Sequence, residues 1–114
     1  MTAVLQATNT QDGSLIELTH PGEMLREDFL EPLGLSAYKL SRAIGVQQTR
    51  ILEILRGQRD ISAETSLLLD RFFGLSDGYW LRLQTDYNLR KARHALAARL
   101  TQVQPYIGLQ ETAA

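Results

Sequence analysis

The 114-residue chain has no cysteine, only three prolines and a single tryptophan. The missing thiols exclude disulfides and cysteine-ligated zinc, and they suit a cytoplasmic protein. No continuous apolar run approaches the length of a membrane-spanning helix, so no membrane partner is expected. The opening "MTAVLQATNTQDGSL" has neither a basic region nor a long apolar core and does not read as a secretory signal. The only two histidines, His20 and His94, lie far apart and lack ligand spacing, so neither a metal nor a cofactor is expected. No nucleophile elbow, glycine-rich phosphate loop or triad pattern is present. Glu23, Glu27, Asp28 and Glu31 read as a charged exposed helix face rather than an acid–base pair. Together these absences argue against an enzyme.

Charge is also scarce overall, with a net of −1, but it is unevenly placed. Residues 1–35 hold six acidic residues against Arg26, a net of −5. Residues 36–60 hold Lys39, Arg42, Arg50, Arg56 and Arg59 against Glu53 and Asp60, a net of +3. Residues 61–114 hold six basic and five acidic residues, a net of +1. A local basic patch is the footprint that an anionic partner needs.

What is present is helical punctuation. The 44% hydrophobic content supports one modest core and one domain. Residues 1–19 show no sustained period and are expected to form a flexible N-terminal arm, with one short strand at "SLIEL". The first helix opens at "HPGEMLREDFL", with Pro21 in its first turn, and stops at Pro32 and Gly34. A second, about 37–44, is capped by Ser36 and ended by Gly45. A third, about 47–56, buries Ile51, Ile54 and Leu55. The fourth starts at Ser62 and ends near Phe73, burying Leu67, Leu68, Phe72 and Leu69. Ser76 caps a fifth, which runs from Asp77 toward Leu100. Phe72, Phe73, Tyr79, Trp80 and Tyr87 are assigned chiefly to the core. The expected organisation is an arm at 1–19, a helical domain at 20–100 and a tail at 101–114. Circular dichroism dominated by helix is expected of such an all-α chain.

Two of these helices joined by "IGV" form a helix-turn-helix pattern. Gly45 supplies the unusual backbone angle, Val46 plugs the corner, Ser41 is small where the helices approach, and Leu40, Ile44, Ile51 and Ile54 glue them together. The start of the third helix is then left outward: Gln47, Gln48, Thr49 and Arg50. Glutamine pairs with adenine, arginine with guanine, and the threonine methyl meets that of thymine. Gln48 and Thr49 are the first choices for base reading, with Gln47 and Arg50 reaching bases or phosphates. Lys39, Arg42, Arg56 and Arg59 fit phosphate contacts, which position without specifying. Any exposed helix carries such residues, and a plain helical bundle is the competing explanation. The coincidence of turn, buried stripe and local charge favours double-stranded DNA.

From "HPGEMLREDFLEPLGLSAYKLSRAIGVQQTRILEILRGQRDISAETSLLLDRFFGLSDGYWLRLQTDYNLRKA" the chain resembles the HigA-type antitoxins, a branch of the Xre/Cro-like helix-turn-helix regulators. The carriers are "HPGE", the "GV" turn, "ILRGQR" and "FFGLSDGYWLRLQTDYNL", within residues 20–92. The resemblance implies a five-helix, lambda-repressor-like DNA-binding domain that acts as a homodimer, neutralises a RelE/HigB-like messenger-RNA-cleaving toxin and represses its own operon at operator DNA. The competing expectation is a solitary Xre-family repressor without a toxin. The fifth helix is the expected dimer element, and the acidic arm and first helix are the expected toxin surface. The basic extension "RKARHALAARLTQVQPY" departs from the family pattern and takes no role from it.

Overall fold

The computed structural model describes residues 18–107, and within them the chain forms six helices and no strand. The strand expected at "SLIEL" falls almost wholly outside the described residues, as does most of the N-terminal arm. Helix α1 covers residues 21–33 in three pieces: α-helical Pro21–Met24, π-helical Leu25–Leu30 and α-helical Glu31–Leu33. Next come α2 (Ala37–Ile44), α3 (Gln48–Leu55), α4 (Ala63–Phe73), α5 (Tyr79–Ala95) and α6 (Ala97–Leu100).

The helix starts use two kinds of side-chain cap. Ser36 accepts from the Lys39 amide at 3.1 Å and Ser62 from the Thr65 amide at 3.2 Å, each serving an orphan donor of a first turn. At α1 the capping acceptor is a histidine: His20 Nδ1 takes the Gly22 N–H at 2.9 Å. Pro21 follows it at a position where its missing N–H leaves no bond unmade.

The core is built from Leu25, Leu40, Ile51, Ile54, Ile61, Leu69 and Trp80, each withdrawn from solvent. Phe29 closes it against Trp80 and Phe73, with ring centroids 5.1 and 4.9 Å away, inside the range of favourable aromatic pairs.

Helix α4 differs from expectation. Leu67, Leu68 and Phe72 are 48%, 41% and 42% exposed, while Thr65, Ser66, Leu69 and Asp70 face inward. The inward polar residues are occupied. Asp70 Oδ2 accepts from the Gly78 amide at 2.7 Å and from the Ser66 hydroxyl at 3.0 Å, and Oδ1 accepts from the Trp80 amide at 3.3 Å. Ser66 Oγ in turn accepts from the Leu81 amide at 2.9 Å. These amides belong to the start of α5, whose orphan donors are thus served from α4. Ser76 is therefore not the cap. Gly78 holds that position, and Ser76 Oγ accepts from Arg82 instead. The expected fifth helix also divides in two. Leu96 departs to φ −102° and ψ 11°, giving α5 and α6. Every residue from 88 to 107 is exposed, so no core contact holds the helix to one direction there.

Candidate nucleic-acid interface

Helices α2 and α3 meet at a tight corner. Gly45 adopts φ 73°, a left-handed conformation that costs a side-chain-bearing residue energy. Its N–H and that of Val46 both bond to the Ser41 carbonyl, at 2.9 and 3.0 Å. Ser41 is buried and turns its hydroxyl back onto the Tyr38 carbonyl at 2.7 Å. Leu40, Ile44, Ile51 and Ile54 are buried between the helices. With those faces committed, Gln47, Gln48, Thr49 and Arg50 all stand exposed at the start of α3. Gln47 makes no side-chain cap bond, so its amide is not spent on the helix. The structure thus brings the four proposed base-reading side chains together on one rigid end.

The four proposed phosphate residues are also exposed, but two of them have partners within the chain. Arg42 donates to the Tyr38 hydroxyl at 2.8 Å and its guanidinium lies 5.7 Å from that ring's centroid. The i,i+4 spacing could have revealed this pair. Arg59 Nε donates to Glu53 Oε1 at 2.7 Å, across the end of α3, and no periodicity signals that contact.

The loop after α3 is tied to α5. Ile61 donates its N–H to Gln84 Oε1 at 2.9 Å, Gln84 Nε2 donates to Asn88 Oδ1 at 3.0 Å, and Asn88 Nδ2 donates to Asp60 Oδ2 at 3.2 Å. Gln84 is 2% exposed, so its amide is a buried polar group with both ends satisfied. No group of His, Asp and Glu residues able to hold a metal occurs among the described residues.

Residues 27–80 match the helix-turn-helix family HTH_3. Virulence-associated protein I of Dichelobacter nodosus is 52% identical over 73 residues, which are 64% of this chain and 68% of that protein. The structure of Pseudomonas aeruginosa antitoxin HigA with the higBA promoter superposes with a TM-score of 0.73 at 36% identity, covering 77% of this chain and 97% of that one. The chain belongs to the helix-turn-helix family of the HigA antitoxins. Antitoxin HigA-1 of Vibrio cholerae, 28% identical over 93 residues, covers 81% of this chain and 88% of its own.

The HigA-like "HPGE" opening has a physical explanation here. His20 caps α1, Pro21 starts it, and Gly22 packs so closely on the Ile54 carbonyl that any side chain would collide. His20 is 9% exposed, sits edge-on to Tyr87 at 5.1 Å, and has Nε2 3.8 Å from Asp60 Oδ1. Because Nδ1 accepts the Gly22 N–H, the neutral ring carries its proton on Nε2. Burial lowers the His20 pKa below its ordinary value of 6.5. Asp60 and Glu23 pull it upward, and Lys91 adds to the lowering. A base whose folded pKa is depressed takes up a proton more readily when unfolded. Its contribution to stability is present above 6.5 and is lost as pH falls through the folded pKa. Urea titrations from pH 7.5 down to 5 should therefore show wild type losing more stability than His20→Asn, which keeps a capping oxygen but does not titrate. Parallel losses in the two proteins would refute a His20 origin.

Proposed function

We propose that this chain is a cytoplasmic antitoxin that binds operator DNA as a homodimer and neutralises a RelE/HigB-like messenger-RNA-cleaving toxin. The observation that carries the DNA half is the exposed quartet Gln47, Gln48, Thr49 and Arg50 at the N-terminal end of α3, held by a buried corner. That end of a recognition helix is the part that reaches base edges in the major groove. Gln48 and Thr49 read bases, with Gln47 and Arg50 beside them. Lys39, Arg42, Arg56 and Arg59 grip phosphates. A two-fold dimer sets the recognition helices about 34 Å apart, one DNA turn, or a multiple of it.

The toxin half is supported by charge. Glu23, Glu27, Asp28 and Glu31 are exposed along α1, with Arg26 bridging Glu27 and Glu31 at 3.5 and 3.4 Å. An acidic face suits a basic RNA-cleaving partner, because complementary charge steers encounter and disfavours wrong partners.

Competition binding tests the first half. Wild type should prefer its operator over random duplex, and Gln48→Ala should lose roughly 1–3 kcal/mol on the operator alone. Equal affinity of wild type for both duplexes would count against base reading. For the second half, co-expression with the protein of the adjacent gene should restore growth, and reversing the charges of α1 should abolish the rescue. Unchanged rescue and complex formation would remove α1 as the toxin surface.

A further inference from the structure

We propose that Glu53 is a positioning residue for DNA binding: it aims the Arg59 guanidinium at the phosphate backbone. Glu53 lies on α3 four residues after Thr49 and three after Arg50, so it shares their outward face one turn further along. Its Oε1 takes the Nε–H of Arg59 at 2.7 Å, and the two side chains are 34% and 50% exposed. That contact uses the inner nitrogen of the guanidinium and leaves its two terminal amines for a partner outside the chain, in the fork that matches phosphate oxygens.

The backbone beneath Arg59 is held on both sides. Gly57 turns the chain with φ 74°, Asp60 is bonded to Asn88 at 3.2 Å, and Ile61 is buried with its N–H on Gln84 at 2.9 Å. Arg59 is thus displayed from an anchored loop, and Glu53 restrains the one part left free, its long side chain. An exposed ion pair contributes little to stability. Its effect here is on orientation: a pre-aimed arginine loses less side-chain freedom when it grips a phosphate.

The sign of the effect separates this role from plain electrostatics. A carboxylate near DNA repels phosphate, so if Glu53 only carried charge, removing it would tighten binding. If it positions Arg59, removing it weakens binding although a negative charge has gone. The proposal rests on Arg59 being a phosphate contact, which Arg59→Ala tests separately. Affinity for operator and random duplex is measured across a salt series, with circular dichroism to check each fold. Arg59→Ala should weaken both duplexes and lower the salt slope by about one. Glu53→Ala should weaken both by roughly three- to tenfold. Glu53→Gln, which keeps an oxygen for Nε, should stay within about twofold of wild type. The double alanine variant should bind no more weakly than Arg59→Ala alone, because the carboxylate acts only through that arginine. Unchanged or tighter binding by Glu53→Ala, beside weak binding by Arg59→Ala, overturns the positioning role. Wild-type affinity and salt slope in Arg59→Ala overturn the phosphate contact and the proposal with it.

Discussion

Replacing Gly22 with alanine is expected to unseat α1 and to lower the unfolding free energy by about 3 kcal/mol or more. An added Cβ falls onto the Ile54 carbonyl oxygen, with the Ile54 carbonyl carbon and His20 Nδ1 also in close contact. The obstacle is backbone inside α3, not the tip of a side chain, so no rotamer change relieves it. Either α1 lifts away from α3, or α3 shifts and carries the exposed quartet with it. For a domain of this size the loss corresponds to a melting temperature lower by roughly 10–25 °C. Glu23→Ala, at the exposed neighbouring position, should change the midpoint little. A Gly22→Ala protein that melts like wild type would show that α1 is not seated on Ile54.

Removal of the Asp70 carboxylate should be comparably severe. Asp70→Ala takes away the acceptor for the Gly78 and Trp80 amides and for the Ser66 hydroxyl, in a site with no exposure. Hydrogen bonds to a charged group are stronger than neutral ones, and two of the donors left behind, the Ser66 hydroxyl and the Trp80 amide, are buried away from water. A loss of about 3–5 kcal/mol is expected, with Asp70→Asn intermediate because its one oxygen can keep some of these bonds. Ser76→Ala, at the position sequence rules choose as the cap, should cost far less. Chemical denaturation of the three variants gives the order directly, and a larger effect at Ser76 than at Asp70 would reverse this assignment.

That contrast explains how far the fold is legible in the sequence. Ser36, Ser62, Gly45 and Gly74 act locally: each cap or turn is made with atoms three or four residues away, so a linear pattern reveals it. Leu40, Ile44, Ile51 and Ile54 follow helical spacing and bury as expected. Helix α4 misleads because its inward face includes the polar Thr65, Ser66 and Asp70. Hydrophobic periodicity points to Leu67, Leu68 and Phe72 instead, although those side chains face out. Asp70 is buried for partners eight and ten residues along the chain, which no period of 3.6 encodes. At the interface, the exposed quartet is legible because burial of Ile51 and Ile54 dictates where its neighbours point. The Glu53–Arg59 contact is not, since it depends on how the chain folds back after Gly57.

The bonds from Gln84 to Ile61 and from Asn88 to Asp60 join residues 23 and 28 positions apart. They stitch the loop leaving α3 to α5, so the two halves of the domain cannot open one at a time at this seam without exposing the buried Gln84 amide. Amide exchange at Ile61 is therefore expected to need this seam to open, and so to be slower than exchange at the exposed end of the chain. The exposed turns beyond Asn88 exchange through their own local fraying. A partner that clamps the far end of α5 can slow that fraying without changing the stability of the DNA-reading half, whereas one that displaces Asn88 loosens both together.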